Sequence, residues 1–241
     1  MKPIVKDYIS NHTEFTTEEF WKYLRNDAPE IARSTVYNIL KALRDQGEIV
    51  QKKRGFYKVA GKKNYAYSLS DTAKTISNLI KESYPLVNFQ VWELYQMNEF
   101  VNHLIARNTI FIEVENLLDE TIFNLLFEKY PHVLLNPGEE EYYKYVGDET
   151  IIVRKLISEA PPSYGECNQT SLEKLLVDLF GRGLSGRIIS RSEYRAIYED
   201  SFSRYNINQE RMFRYARRRG NEKKIKEFIC KETNIILEDP K

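Results

Sequence analysis

Apolar positions in the first sixty residues follow a helical repeat and then alternate as they do in strands. The spacing predicts three short helices and a two-stranded hairpin. The first helix covers residues 3–11, the second begins after an N-cap at Thr16, and the third covers residues 34–46, with Gly47 as the residue that ends it. The strands of the hairpin cover residues 48–51 and 56–59. This order of elements predicts a winged helix-turn-helix.

The third predicted helix has two distinct faces. One face is an apolar stripe at helical spacing, formed by Val36, Ile39, Leu40 and Leu43. The opposite face carries hydrogen-bonding side chains: Ser34, Tyr37, Asn38 and Lys41. A helix that presents donors and acceptors as well as charge is suited to reading base edges in a major groove.

Beyond residue 66 the pattern predicts a linker helix within 67–86 and then a mixed sheet domain over 87–241. The expected strands are 89–94, 109–115, 132–135 and 150–154. The expected helices are 97–106, 119–130, 171–180, 192–205, 209–219 and 222–231. The fold class is therefore α+β, with an N-terminal winged helix over 1–66, a mixed α/β domain with a central sheet, and a helical C-terminal part.

Charge is unevenly distributed along the 241 residues. The whole chain has 36 Lys and Arg against 35 Asp and Glu, a formal charge of +1. The segment from Arg33 to Lys63 has nine basic residues and only two acidic ones, Asp45 and Glu48. Such a density of positive charge indicates a phosphate-binding surface. A solvated helix face, or a winged helix that binds protein, is the alternative.

The run from Ser34 to Val50, followed by the basic turn and Phe56-Tyr57, is similar to the winged-helix start of many bacterial regulators. We therefore expect Asn38 to pair with an adenine edge, Lys41 to reach a guanine or a phosphate, and Tyr37 to stack on sugar or a methyl group. The hairpin tip should contact the phosphate backbone. The predicted DNA-binding residues are Arg33, Ser34, Thr35, Tyr37, Asn38, Lys41, Lys52, Lys53, Arg54 and Lys58.

Candidate chemistry in the second domain is sparse. Glu113 and Glu115 alternate on one predicted strand and, with Glu149, could form the divalent-ion site of a nuclease. The strand 151–155 lacks the acid of a Glu-x-Lys motif, however, and the three histidines show no ligand spacing. No glycine-rich nucleotide motif occurs. We therefore expect no catalytic residue, no metal and no cofactor, with the nuclease kept as the alternative.

A basic helix near the C-terminus offers a second candidate surface. Its arginines are Arg211, Arg214, Arg217, Arg218 and Arg219. They could form a second nucleic-acid surface, which contacts the phosphate backbone, or an antitoxin surface. Equally, they could neutralise the acidic segment 113–149 within the fold. The glycine-containing loop 181–191 is expected to be mobile, and its role is open.

Together with the predicted winged helix, four segments resemble the AbiEi family of antitoxins: strand 111–115, the break at 160–162, helix 169–179 and the basic run 211–219. The resemblance implies the regulatory half of a type IV abortive-infection toxin–antitoxin pair, active in phage defence. In such a pair the winged helix binds repeats in its own promoter. The antitoxin domain opposes a nucleotidyltransferase-like toxin without requiring a stable complex. Loop 182–191 departs from the family pattern.

The expected location is the cytoplasm. No apolar run approaches the roughly 20 residues that cross a bilayer, and the segment from Met1 to Asn11 has no apolar signal-peptide core. The two cysteines, Cys167 and Cys230, suggest unpaired thiols in a reducing compartment.

Overall fold

The computed structural model describes residues 3–45, 48–181 and 185–237. These residues form a mixed α/β protein with two small sheets. The chain divides into two compact units, unit 1 (residues 1–63) and unit 2 (residues 64–241). The division falls three residues before the predicted boundary. Within the described residues, no helix is both long enough and apolar enough to cross a membrane.

Unit 1 combines three helices with a three-stranded antiparallel sheet. Its elements are α1 (Pro3–Asn11), β1 (Glu14–Thr16), α2 (Thr17–Asp27), α3 (Arg33–Asp45), β2 (Ile49–Lys53) and β3 (Phe56–Val59). The strand order is β1-β3-β2. The predicted helices and hairpin are confirmed, whereas β1 is an addition to them. Gly47, the predicted end of the third helix, lies outside the described residues.

Local chemistry explains where α2 begins. The hydroxyl of Thr16 accepts the Glu19 N–H at 3.2 Å, and the Glu19 carboxylate accepts the Thr16 N–H at 2.7 Å. This capping box satisfies two amide groups that the first helical turn leaves without partners. The predicted N-cap at Thr16 is therefore confirmed.

The core of unit 1 forms around α3. Val36, Leu40 and Leu43 are each at most 2% exposed, and they pack with aromatic side chains such as Phe15 and Phe20. Burial of this apolar stripe fixes the rotation of α3 about its own axis, because turning the helix would expose it to water. The opposite face of α3 is thereby directed to solvent.

Unit 2 is built on a four-stranded sheet of order β4-β5-β7-β6. Strand β4 is antiparallel to β5, whereas β5, β7 and β6 are parallel. The elements are α4 (Asp71–Ser83), β4 (Phe89–Glu93), β5 (Thr109–Val114), α5 (Asp119–Phe127), β6 (Val133–Leu135), α6 (Glu139–Tyr145), β7 (Thr150–Lys155), α7 (Leu172–Leu179), α8 (Ser185–Ile188), α9 (Tyr194–Arg204), α10 (Gln209–Arg218) and α11 (Glu222–Glu232).

Helices cover both faces of this sheet. Residues of α4 and α5 pack on one face, against Ile112 and Val153. On the other face Trp92, Phe111 and Leu175 form a smaller cluster, and the C-terminal helices build a third. Helix α4, predicted as a linker, buries Ala73, Ile76 and Ile80 and belongs to unit 2.

The two edges of the sheet end differently. Edge strand β6 has only three residues. Beside β4, the Val91 N–H donates to the Asn168 carbonyl, and the Thr170 N–H donates to the Val91 carbonyl, each at 2.9 Å. Part of the outer edge of β4 is therefore paired with the chain before α7.

The prediction of a helix over residues 97–106 is wrong. A 3₁₀ helix spans Leu94–Glu99, and the following residues are irregular. Side chains occupy the backbone amides there: the Ile105 N–H donates to Asn98 at 2.7 Å, and the Asn102 N–H donates to Glu193 at 2.8 Å. Because these side chains already accept hydrogen bonds from the backbone N–H groups, those groups do not need the partners that an α-helix would supply. Helices α6 and α8 were not predicted. Helix α8 lies within 181–191, which the sequence predicts as a loop, and residues 182–184 of that loop lie outside the described residues.

Candidate nucleic-acid interface

The solvent-facing side of α3 carries four of the predicted DNA-binding residues. Ser34, Tyr37, Asn38 and Lys41 are all exposed, and Tyr37 is 53% exposed. Their side chains form no hydrogen bond or ion pair with other residues that the structure describes. Their polar atoms are consequently available to a partner from outside the unit.

The β2–β3 hairpin carries a second group of exposed cations, Lys52, Lys53, Arg54 and Lys58. The turn is tight, with Gly55 at φ +73°, a conformation that costs glycine little. The Lys53 ammonium lies 5.4 Å from the ring centroid of Phe56, within the range of a cation–π contact. Arg44 on α3 donates to the Gln51 carboxamide at 3.2 Å and so connects the helix to the hairpin.

Two predicted residues have other surroundings. The Arg33 guanidinium lies 3.0 Å from the Glu18 carboxylate and 4.4 Å from the ring centroid of Trp21. It therefore already has partners within unit 1. Thr35 is exposed, but it lies on the side of α3 that lines an apolar cleft between α1, α2 and α3.

A buried charged network occupies unit 2, between the sheet and two helices. Strand β5 places Glu113 opposite Arg154 of β7. Arg154 donates from Nε to Glu113 Oε1 at 2.9 Å, and Lys174 of α7 pairs with Oε2. Lys174 also donates to Asp178 Oδ2, one turn further along α7, at 2.6 Å. Tyr215 of α10 donates to Asp178 Oδ1 at 3.0 Å.

The network is almost closed to solvent. The side chains of Glu113, Lys174 and Asp178 are 3%, 1% and 4% exposed. Burial by itself raises the pKa of Glu113, but the adjacent charges of Arg154 and Lys174 outweigh burial and lower that pKa to about 2. Burying charged side chains costs free energy unless each of them is paired. The fold therefore depends on every partner in this network being present.

The acids of the alternative nuclease site do not come together. Glu113 is paired with cations, Glu115 accepts the Asn88 N–H at 2.8 Å, and Glu149 accepts the Thr72 hydroxyl. Among the described residues, no group of three or more His, Cys, Asp or Glu side chains could hold a metal ion.

The five C-terminal arginines divide into two sets. Three contact the protein itself: Arg217 with Glu222 at 2.8 Å, Arg218 with Ser158 at 2.6 Å, and Arg219 with Asp178 at 3.5 Å. The side chains of the other two, Arg211 and Arg214, form no hydrogen bond or ion pair with other described residues. The acids that pair with this helix, Glu222 and Asp178, lie outside the acidic segment 113–149.

These features define a protein of two α/β units, with a polar and basic helix–hairpin surface on the smaller unit and a buried ion network in the larger. The chain belongs to a family of unknown function, DUF6577, whose profile matches residues 35–235. No curated protein matches the chain.

Proposed function

We propose that unit 1 is a winged helix-turn-helix that binds duplex DNA, with α3 as the recognition helix and the β2–β3 hairpin as the wing. The observation that carries this proposal is the exposed face of α3, whose side chains Ser34, Tyr37, Asn38 and Lys41 lack partners among the described residues. A face kept polar, exposed and unpaired beside a basic hairpin matches the requirements of base readout combined with phosphate contact.

In this mechanism α3 enters the major groove. A helix of 13 residues is about 20 Å long, enough to cross the groove. Asn38 pairs in a bidentate manner with an adenine, Lys41 reaches a guanine or a phosphate, and Tyr37 packs on sugar or a thymine methyl. Lys52, Lys53, Arg54 and Lys58 contact phosphates and contribute affinity without sequence preference.

We further propose that the protein acts as a transcriptional autoregulator and as the antitoxin of a type IV abortive-infection pair. The support is the resemblance of residues 111–115, 160–162, 169–179 and 211–219 to AbiEi antitoxins. The functional partner is then a nucleotidyltransferase-like toxin, and the DNA partner is the protein's own promoter. No catalytic activity is assigned to the chain itself.

The experiment that tests DNA binding is a gel shift of the purified full chain on its own upstream DNA, with random duplex as competitor. It is run across a salt series, with and without Mg²⁺. The expected result is a shift of intact DNA that favours the upstream sequence and weakens steeply with salt. Cleaved DNA would replace the proposal with a nuclease. No shift at low salt would overturn it in favour of a protein-binding module.

A further inference from the structure

Unit 1 contains an apolar cleft on a side of α3 other than the proposed DNA-reading face. Its volume is about 300 Å³, at the small end of the range for ligand pockets. Helices α1, α2 and α3 supply most of its lining, together with Ile31 from the connection between α2 and α3. Its lining residues are Ile4, Val5, Leu24, Asp27, Ala28, Ile31, Thr35, Ile39, Ala42 and Leu43.

Among the residues that the structure describes, the apolar surface of α3 is wider than the core of unit 1 covers, and this difference leaves the cleft. Leu43 is buried, but Ile39 is half-buried and Ala42, one turn further along the same side of the helix, is exposed. Ile4 and Ile31 across the cleft are also half-buried. Apolar surface left in contact with water is unfavourable, so an apolar occupant would be stabilised there.

Two polar groups of the lining define the chemistry of that occupant. The Asp27 carboxylate and the Thr35 hydroxyl are exposed, and neither has a hydrogen-bond or ion-pair partner among the residues that the structure describes. Both can accept a hydrogen bond, and Asp27 adds a negative charge. We infer that the cleft binds a small amphiphilic cation, with its apolar body among the aliphatic side chains and its ammonium group at Asp27.

Occupancy of the cleft would act on α3, and this part of the inference rests on the proposed function. Thr35, Ile39 and Ala42 face the cleft, while Asn38 and Lys41 of the same helix face solvent on another side. A ligand that packs against α3 changes how the helix sits on α1 and α2, and hence how it meets DNA. By linkage, the ligand must change DNA affinity by the same factor as DNA changes ligand affinity.

The test measures binding of three matched probes to the full chain by ligand-observed NMR: 3-phenylpropylamine, 3-phenylpropan-1-ol and 3-phenylpropanoate. The amine should bind about fivefold more tightly than the alcohol, the factor that an exposed ion pair of about 1 kcal/mol contributes. The carboxylate should bind most weakly, because Asp27 repels it. Equal affinities for amine and carboxylate would overturn the inference, as would no binding of any probe.

Two substitutions separate charge from shape. Asp27→Asn should abolish the preference for the amine, whereas Glu30→Gln, at an exposed acid that does not line the cleft, should preserve it. Ala42→Phe should fill the cleft and weaken all three probes at least tenfold, with circular dichroism to verify the fold. Because Asp27→Asn removes no apolar contact, it tests the role of the carboxylate in binding the amine even if Ala42→Phe does not fold. Unchanged amine preference in Asp27→Asn contradicts the inference.

The two proposals fail separately. Probe binding is measured without DNA, so a chain that binds the amine but no DNA retains the cleft site and loses only its coupling to α3. A second copy of the chain is the competing occupant. A dimer in sedimentation equilibrium that Ala42→Phe dissociates would assign the cleft to self-association and overturn the ligand.

Discussion

Arg154 donates to the carboxylate of Glu113 from the position directly opposite it on the neighbouring parallel strand. The sheet register therefore holds this ion pair in place, and Lys174 takes the second carboxylate oxygen from the helix above. Through Asp178 and Tyr215 the same chain of contacts reaches α10. The network thus fastens two helices to the sheet with directional contacts, which apolar packing alone does not supply.

Acid should destabilise unit 2 through Glu113. The pKa of this carboxyl is about 2 in the folded chain, below its ordinary value near 4.3. Its ionisation therefore stabilises the fold fully above about pH 5, and that contribution is lost as the pH falls through the unfolded pKa near 4.3 towards about 2. We expect Glu113→Gln to be less stable at pH 7 and to have a flatter stability profile between pH 5 and 2. Urea unfolding at a series of pH values measures both, and an unchanged profile would contradict the assignment.

Lys174→Met should be severely destabilising. It leaves Glu113 and Asp178 without their shared cation, and breaking a buried pair in this way costs about 3–5 kcal/mol. Lys226→Met, at a half-exposed lysine that pairs with Glu222 on α11, should cost at most about 1 kcal/mol. Urea unfolding of both variants gives the comparison. Similar losses at the two positions would mean that the network contributes no more than a surface ion pair.

Asn38→Ala should relax sequence discrimination. If the carboxamide reads an adenine, its loss costs about 1–3 kcal/mol on the upstream DNA and little on random duplex. Asn26→Ala, the same change at an exposed position of α2, is the control. Fluorescence anisotropy with both duplexes measures the difference. Equal losses on specific and random DNA would remove Asn38 from base readout.

Lys53→Ala should weaken all duplexes alike. A phosphate contact contributes through counterion release, so the slope of log affinity against log salt should decrease in magnitude by about one. Lys129→Ala, an exposed lysine of unit 2, should leave the slope unchanged. A salt titration of binding to random duplex measures this slope for each variant. A slope that stays the same in Lys53→Ala would show that the hairpin tip does not contact phosphate.

The double variant Arg211→Gln with Arg214→Gln tests the C-terminal helix as a second nucleic-acid surface. These two guanidinium groups have no partner among the described residues, so their removal should reduce the salt slope by up to about two without loss of stability. Arg217→Gln, whose guanidinium is paired with Glu222, should change the slope much less. Identical slopes in all three proteins would restrict nucleic-acid binding to unit 1.

The local elements could be predicted from sequence, and the pairings between distant residues could not. The stripe of Val36, Leu40 and Leu43 predicts both α3 and its exposed face, because helical spacing determines which side is buried. The three-residue strand β1 was missed, because only pairing with β3, some forty residues later, makes it a strand. The helix predicted after residue 97 fails because Asn98 and the distant Glu193 bind its amides.

The charged network is the clearest example of what sequence reasoning missed. Its members lie on β5, β7, α7 and α10, and their separation in sequence reaches about a hundred residues. The available signal was weak: Lys174 and Asp178 stand one helical turn apart in a helix that is otherwise mainly apolar. Without the topology of the sheet, nothing connects that pair to Glu113.

The way the sheet of unit 2 ends has a consequence for self-association. Unpaired strand edges are templates on which another chain can add a strand, and long flat edges are sites of aggregation. Here one edge is the three-residue strand β6, and the other is partly paired with residues 168–170. The described sheet therefore leaves little backbone for cross-chain strand pairing, and its two edges are protected against the addition of a strand from another copy.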